Sequence, residues 1–199
     1  MTLRQQFLKL VYPIFNAISK RNEKTRLILK NIQNTEPIKS FYSLQQTLNS
    51  GSEFKFDNLN GFNILIVNTA SDCGYTAQYA ELETLYKQNK NQLKIIAFPA
   101  NDFKEQEKGT DEEIAAFCQI NYGVSFPIMK KTKFVGLHQN EIFKWLSNEQ
   151  NNGWCNQQPV WNFSKYLINK NGVLTHYFGP AISPLSKEIS SALQQKFLH

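Results

Sequence analysis

Apolar residues gather in two short runs, 64–67 and 93–98, the second broken only by Lys94, each followed by small or polar residues. Runs of this length, rich in Ile, predict strands buried on both faces. Between them, residues 79–89 set Leu82, Leu85 and Tyr86 on one face of a helix. A second helix is predicted over 111–121, with Thr110 as its N-cap and Glu112 and Glu113 in the first turn. A shorter one follows over 141–147. Residues 162–168 and 173–177 flank the turn Asn169-Lys170-Asn171-Gly172 and read as a hairpin. Residues 186–197 read as a terminal helix. Upstream, Phe41 and Leu44, then Phe54-Lys55-Phe56, predict two short strands about the turn Asn49-Ser50-Gly51.

The order is therefore hairpin, β-α-β-α, helix, β-β-α. A parallel βαβ core closed by an antiparallel hairpin fits a thioredoxin-like α/β fold, a mixed central sheet flanked by helices. Residues 20–40 are polar and charged, end near Pro37, and read as a linker. The expected organisation is an N-terminal arm and linker over 1–39 and one domain over 40–199.

Charge changes the reading of the arm. The 199 residues carry a net +6, and residues 1–30 account for all of it, with seven Lys/Arg against Glu23. The remainder is neutral and offers no basic footprint for a nucleic acid. Within the arm Leu3, Phe7, Leu10, Val11, Ile14, Phe15 and Ile18 recur at helical spacing. Two readings stand: an amphipathic helix docked on its own domain, or a basic helix on an anionic membrane surface through residues 1–30. Pro13 would kink either. A secretory signal fits less well, because Lys9 interrupts the apolar core and no clean small-x-small site follows. Length and charge exclude a transmembrane span.

Cys73, Cys118 and Cys155 lie far apart, without a C-x-x-C, and the three histidines have no ligand-spaced neighbours. No metal is expected. An odd thiol count suits a reducing, cytoplasmic setting, with membrane association through the arm as the variant. Cys73 follows the 64–67 strand directly and precedes a helical pattern. That places a thiol at a strand-to-helix turn, where thiolate character and access are expected; the competing reading is a small buried filler. The loop 101–109 should emerge at the same sheet edge. Gln106, Trp161 and Asn162 supply neutral amide and indole donors that could hold a thiolate without trapping it as an ion pair.

Residues 68–76 (Asn-Thr-Ala-Ser-Asp-Cys-Gly-Tyr-Thr) resemble the signature around the active residue of glutathione peroxidases. Phe98-Pro99-Ala100-Asn101-Asp102-Phe103 with Gln106-Glu107 resembles that family's second motif, and Trp161-Asn162-Phe163 its third. Residues 121–127 (Asn-Tyr-Gly-Val-Ser-Phe-Pro) are similar to another. Order and spacing agree over roughly 40–195. The resemblance implies a thioredoxin-like fold, with Cys73 as peroxidatic residue and Gln106, Trp161 and Asn162 completing a catalytic tetrad. It also implies Cys118 as resolving cysteine, condensing with a Cys73 sulfenic acid to a disulfide that thioredoxin (or glutathione) reduces. Hydrogen peroxide and organic hydroperoxides would be substrates, with no metal, flavin or haem.

Three departures stand out. Ala100 replaces a common Cys, Asp102 a common Gln, and Lys104-Glu105 a common Gly-Gly, which bears on loop rigidity beside Gln106. The short segment before Trp161 lacks an insertion carried by tetrameric, glutathione-specific members, which implies a monomer using thioredoxin. Cys155 is either incidental or an alternative resolving partner. The rival function is a thiol–disulfide exchanger or peroxide sensor relaying oxidation to a partner; the missing C-x-x-C speaks against it.

Overall fold

The two apolar runs form adjacent parallel strands at one side of a five-stranded sheet, the second run at its edge. The structure, a computed structural model, describes residues 1–19, 22–134, 136 and 138–195. Its helices are α1 (Leu3–Ser19), α2 (Glu23–Arg26), α3 (Gln78–Asn89), α4 (Asp111–Tyr122), α5 (Glu141–Leu146), α6 (Glu149–Asn152) and α7 (Lys187–Gln194). Its strands are β1 (Ile28–Lys30), β2 (Gln45–Thr47), β3 (Glu53–Lys55), β4 (Asn63–Thr69), β5 (Leu93–Pro99), β6 (Lys165–Ile168) and β7 (Leu174–Phe178). The sheet order is β1-β7-β6-β4-β5, and only the β4–β5 pair is parallel. β2 and β3 form the separate hairpin expected around Gly51, which holds φ +88°.

Alternation along β4 divides the core. Leu65 and Val67 face a cluster with Tyr79, Leu82 and Leu85 of α3, Ile114 of α4 and Ile189 of α7. Ile64 and Ile66 face the other cluster, with Phe41, Phe56 and Ile142, Phe143 and Trp145 of α5. A one-residue slip would exchange these faces, so the register is strongly fixed. Thr110 caps α4 through a reciprocal capping box with Glu113, as its sequence position predicts.

Three expectations need correction. The stretch read as a linker contains β1, which pairs antiparallel with β7 through Leu29 and Tyr177. Its three residues carry too little periodicity to register as a strand. The strand expected from residue 162 starts at Lys165, because Phe163 turns the chain with φ +69°. The terminal helix expected over 186–197 ends at Gln194, where Gln195 turns to extended backbone, and the expectation beyond residue 195 lies outside the described residues.

The arm also differs. α1 runs continuously through Pro13 and docks on the domain, but of the predicted stripe only Val11 and Phe15 turn toward it. Buried Tyr12 and half-buried Gln5, Leu8 and Asn16 face inward. Leu3, Phe7, Leu10, Ile14 and Ile18 stay exposed, between 60% and 84% of their surface. No helix among the described residues is long and apolar enough to cross a membrane.

Candidate active site

Parallel pairing of β4 and β5 brings their carboxyl ends together, and antiparallel β6 starts at the same edge. Three segments distant in sequence therefore meet: the Cys73 loop after β4, the 101–109 loop after β5, and Trp161-Asn162 before β6. Cross-bonds fix them. Asp72 N–H donates to the Gln106 carbonyl at 3.0 Å, Asn68 Nδ2 to the Trp161 carbonyl at 3.0 Å, and Phe163 N–H to the Asn68 carbonyl at 2.6 Å. Asn162 Nδ2 donates to Gln106 Oε1 at 2.9 Å, joining two of the expected donors side chain to side chain.

Cys73 lies in a tight turn between β4 and α3. Its N–H donates to Thr76 Oγ1 at 3.0 Å, and that hydroxyl donates onward to the Ala70 carbonyl at 2.9 Å. Tyr75 N–H points at the Cys73 sulfur from 3.5 Å. The expectation of an exposed, acidified thiol is not met. Cys73 is fully buried, and burial pushes its pKa up to about 11; the Tyr75 N–H and the side chains of Trp161 and Asn162 favour the thiolate, and Asp72 opposes it. The physical reason is position. α3 starts only at Gln78, so the helix end does not abut the sulfur, and desolvation outweighs three neutral donors. Cys73, Gln106, Trp161 and Asn162 nonetheless come together as the sequence indicates.

Cys118 sits on the buried face of α4, with the Tyr79 hydroxyl beside its sulfur. Burial raises its pKa to about 12; Tyr79 acts the other way, and the charge of Glu107 adds to the rise. Cys73, Cys118 and Cys155 are all free thiols, and Cys155 packs in the opposite core layer from the other two. Cys155 is thus on the wrong side of the sheet to exchange with Cys73 in this conformation.

Glu107 carries more weight than its sequence neighbours suggest. It is buried, its Oε2 accepts from Ser71 Oγ at 3.0 Å, and its N–H donates to Asn101 Oδ1 at 2.8 Å. Burial raises its pKa to about 7, against the hydrogen bonds from Ser71. It ties the Cys73 loop to the Gln106 loop. A cleft of about 440 Å³ opens beside it, lined by Ser71, Asp72, Gln106 and Phe117 and walled by Gln5 of α1. Among the described residues no group of three or more His, Cys, Asp or Glu is placed to hold a metal.

A sequence profile for glutathione peroxidase matches residues 41–147. The chain belongs to the glutathione peroxidase family. It is 44% identical over 158 residues to the glutathione peroxidase-like peroxiredoxin HYR1 of Saccharomyces cerevisiae, covering 78% of this chain and 97% of that protein. A glutathione peroxidase-like peroxiredoxin GPX5 of Chlamydomonas reinhardtii is 42% identical over 77% of this chain and 96% of its own. Among solved structures, T. cruzi GPX1 superposes with a TM-score of 0.59 and 29% identity, over 78% of this chain and 97% of its own. The thioredoxin-like fold is likewise shared with a thiol:disulfide interchange protein from Chlorobium tepidum, at a TM-score of 0.58 and 15% identity, over 80% of this chain and 97% of its own. The chain is a peroxidase of this family.

Proposed function

We propose that Cys73 attacks the terminal oxygen of hydrogen peroxide or an organic hydroperoxide. The S–O bond forms as the O–O bond breaks, the thiol proton ends on the leaving oxygen, and the products are a Cys73 sulfenic acid and water or an alcohol. Trp161 and Asn162 donate to the developing charge, and Gln106 orients Asn162 by accepting from its amide. The buried Asn162 Oδ1 has no hydrogen-bond partner among the described residues, which leaves an acceptor for the O–H of an incoming peroxide. Cys118 then displaces water from the sulfenic acid to give a disulfide, and thioredoxin, with glutathione as the weaker alternative, returns both thiols. The cycle uses no prosthetic group.

The observation that carries this reading is the joining of Gln106 to Asn162 beside Cys73 across three loops. The short segment before Trp161 supports thioredoxin as reductant and a monomer as the working form. The three free thiols and the basic arm support a cytoplasmic protein whose residues 1–30 touch an anionic membrane surface.

Steady-state peroxide consumption with thioredoxin and with glutathione, side by side, tests it. Turnover by wild type and none by Cys73→Ser is expected, since an unactivated hydroxyl is a poor nucleophile. A Cys73→Ser protein that still turns over would end the proposal. Oxidation of a client protein without peroxide turnover would favour the relay reading instead.

A further inference from the structure

α1 grips the loop that carries Cys73 from both sides. Ahead of the cysteine, Gln5 Nε2 donates to the Ser71 carbonyl at 3.2 Å and Arg4 Nε pairs with Asp72 Oδ1 at 3.1 Å. Behind it, the Phe15 ring packs edge-on against Tyr75 with centroids 5.0 Å apart and fills the space above Gly74. A Cβ at Gly74 would lie 2.6 Å from that ring, so the glycine lets the helix seat this closely. At the other flank Lys9 lies 5.1 Å over the Tyr122 ring, at the end of the helix that bears Cys118. The relatives match about 78% of the chain and nearly all of their own length, so an arm of this kind lies outside the shared domain.

The same helix is two-faced. Its five most exposed large apolar residues fall at spacings of four, three, four and four along α1 and make one continuous stripe. The arm that bears the stripe carries the whole net charge of the protein. An apolar stripe within a basic segment matches the chemistry of an anionic bilayer surface.

We propose that α1 is a strap that holds the Cys73 loop shut and that an anionic lipid surface opens it. This rests on the assignment of Cys73 as peroxidatic thiol and of the arm as a membrane contact. A ligand shifts such an equilibrium only if it binds the open state better. The bilayer does. In the closed state Arg4 is committed to Asp72 and Lys9 to Tyr122, and Tyr12 and Phe15 are turned inward. Released, both cations reach lipid phosphates and both rings reach the interface. Opening also lets water reach the sulfur, so its pKa falls from about 11 toward the ordinary thiol range. A hydroperoxide formed in lipid would then meet a thiol uncovered where the hydroperoxide is.

The test is the rate at which iodoacetamide alkylates Cys73 in the full chain, read by mass spectrometry. It is measured alone, with phosphatidylcholine vesicles, and with vesicles containing phosphatidylglycerol. Slow labelling alone and with neutral vesicles is expected, with a rise of about tenfold or more on anionic vesicles that added salt reverses. Phe15→Ala and Arg4→Gln should label faster without lipid. Leu10→Glu with Ile14→Glu, both on the exposed stripe, should keep the slow rate and lose the lipid response. Labelling that is fast without lipid, indifferent to anionic vesicles, equal on neutral ones, or unaltered by the Phe15 and Arg4 changes overturns the proposal. Alkylation needs no peroxide. Lipid-triggered labelling without peroxide turnover would sink the peroxidatic assignment and spare the strap; full turnover with lipid-independent labelling would do the reverse.

Discussion

Lys104 and Glu105 hold φ of +52° and +51°, the left-handed region that glycine occupies freely and L side chains do not. The double variant K104G/E105G therefore measures what the side chains cost. A left-handed non-glycine residue costs roughly 1–2 kcal/mol. Glycine returns about 0.5–1 kcal/mol of that by loosening the unfolded chain. The variant also loses the Lys104 ammonium 5.7 Å above the Trp161 ring, worth about 0.5 kcal/mol at an exposed site. The Glu105–Lys108 pair, with both side chains 74% exposed, adds nothing that changes the sum. The net is a gain of about 1 kcal/mol, or a Tm rise of about 2–4 °C for a chain of this size. Differential scanning calorimetry reads it. Peroxide turnover should stay unchanged, because the Gln106 carbonyl is pinned by Asp72 N–H and the Glu107 N–H by Asn101, independently of the side chains at 104 and 105. A lower Tm would refute the reasoning, since it would mean that these side chains hold the loop in place instead of straining it.

Cys118→Ser should complete one turnover and then stall with Cys73 as sulfenic or sulfinic acid; multi-turnover rates equal to wild type with thioredoxin would remove Cys118 from the cycle. Asn162→Ala should slow peroxide reduction in single-turnover assays by about 10²–10³-fold, the loss expected for one donor to a developing oxyanion, and a change under twofold would discard its role. Glu107 has a folded pKa near 7, above its ordinary value of 4.5, so the folded state binds a proton that the unfolded chain gives up between these values. Its contribution is fully present below about pH 4.5 and is lost as pH rises through 7, a change on the order of 3 kcal/mol. Glu107→Gln should therefore stabilise the protein at pH 8 relative to wild type and flatten that slope in urea titrations; an unchanged slope would show that the carboxyl is not titrating there.

The sheet was legible because β4 and β5 are each built around a buried apolar stretch, Ile64–Val67 and Ile95–Phe98, whose burial fixes the register. The site was legible because its members sit next to strand ends, and pairing alone carries strand ends together. The state of the thiol was not. Access depends on what packs on the Cys73 loop, and α1 reaches that loop through Arg4, Gln5 and Phe15, a mixed face that no apolar pattern marks. Local sequence correctly gave a helix in the arm and an apolar stripe on it, and then invited the inference that the stripe faces inward. Two polar anchors at the N-terminal end of α1, Arg4 to Asp72 and the Met1 amine to Asn121, go with the other face. β1 escaped notice for a different reason: its pairing partner stands some 150 positions away in the sequence, at Tyr177.

That partner strand bears on how the polypeptide tolerates shortening. Leu29 N–H and C=O groups close off the backbone of β7, which otherwise would present bare amides along a row of buried residues from Leu174 to Phe178. A protein trimmed past Lys30 to discard the arm would uncover that row as a template for a neighbouring molecule, and self-association through it would follow. Expression trials that begin at residue 27 or earlier keep the seal.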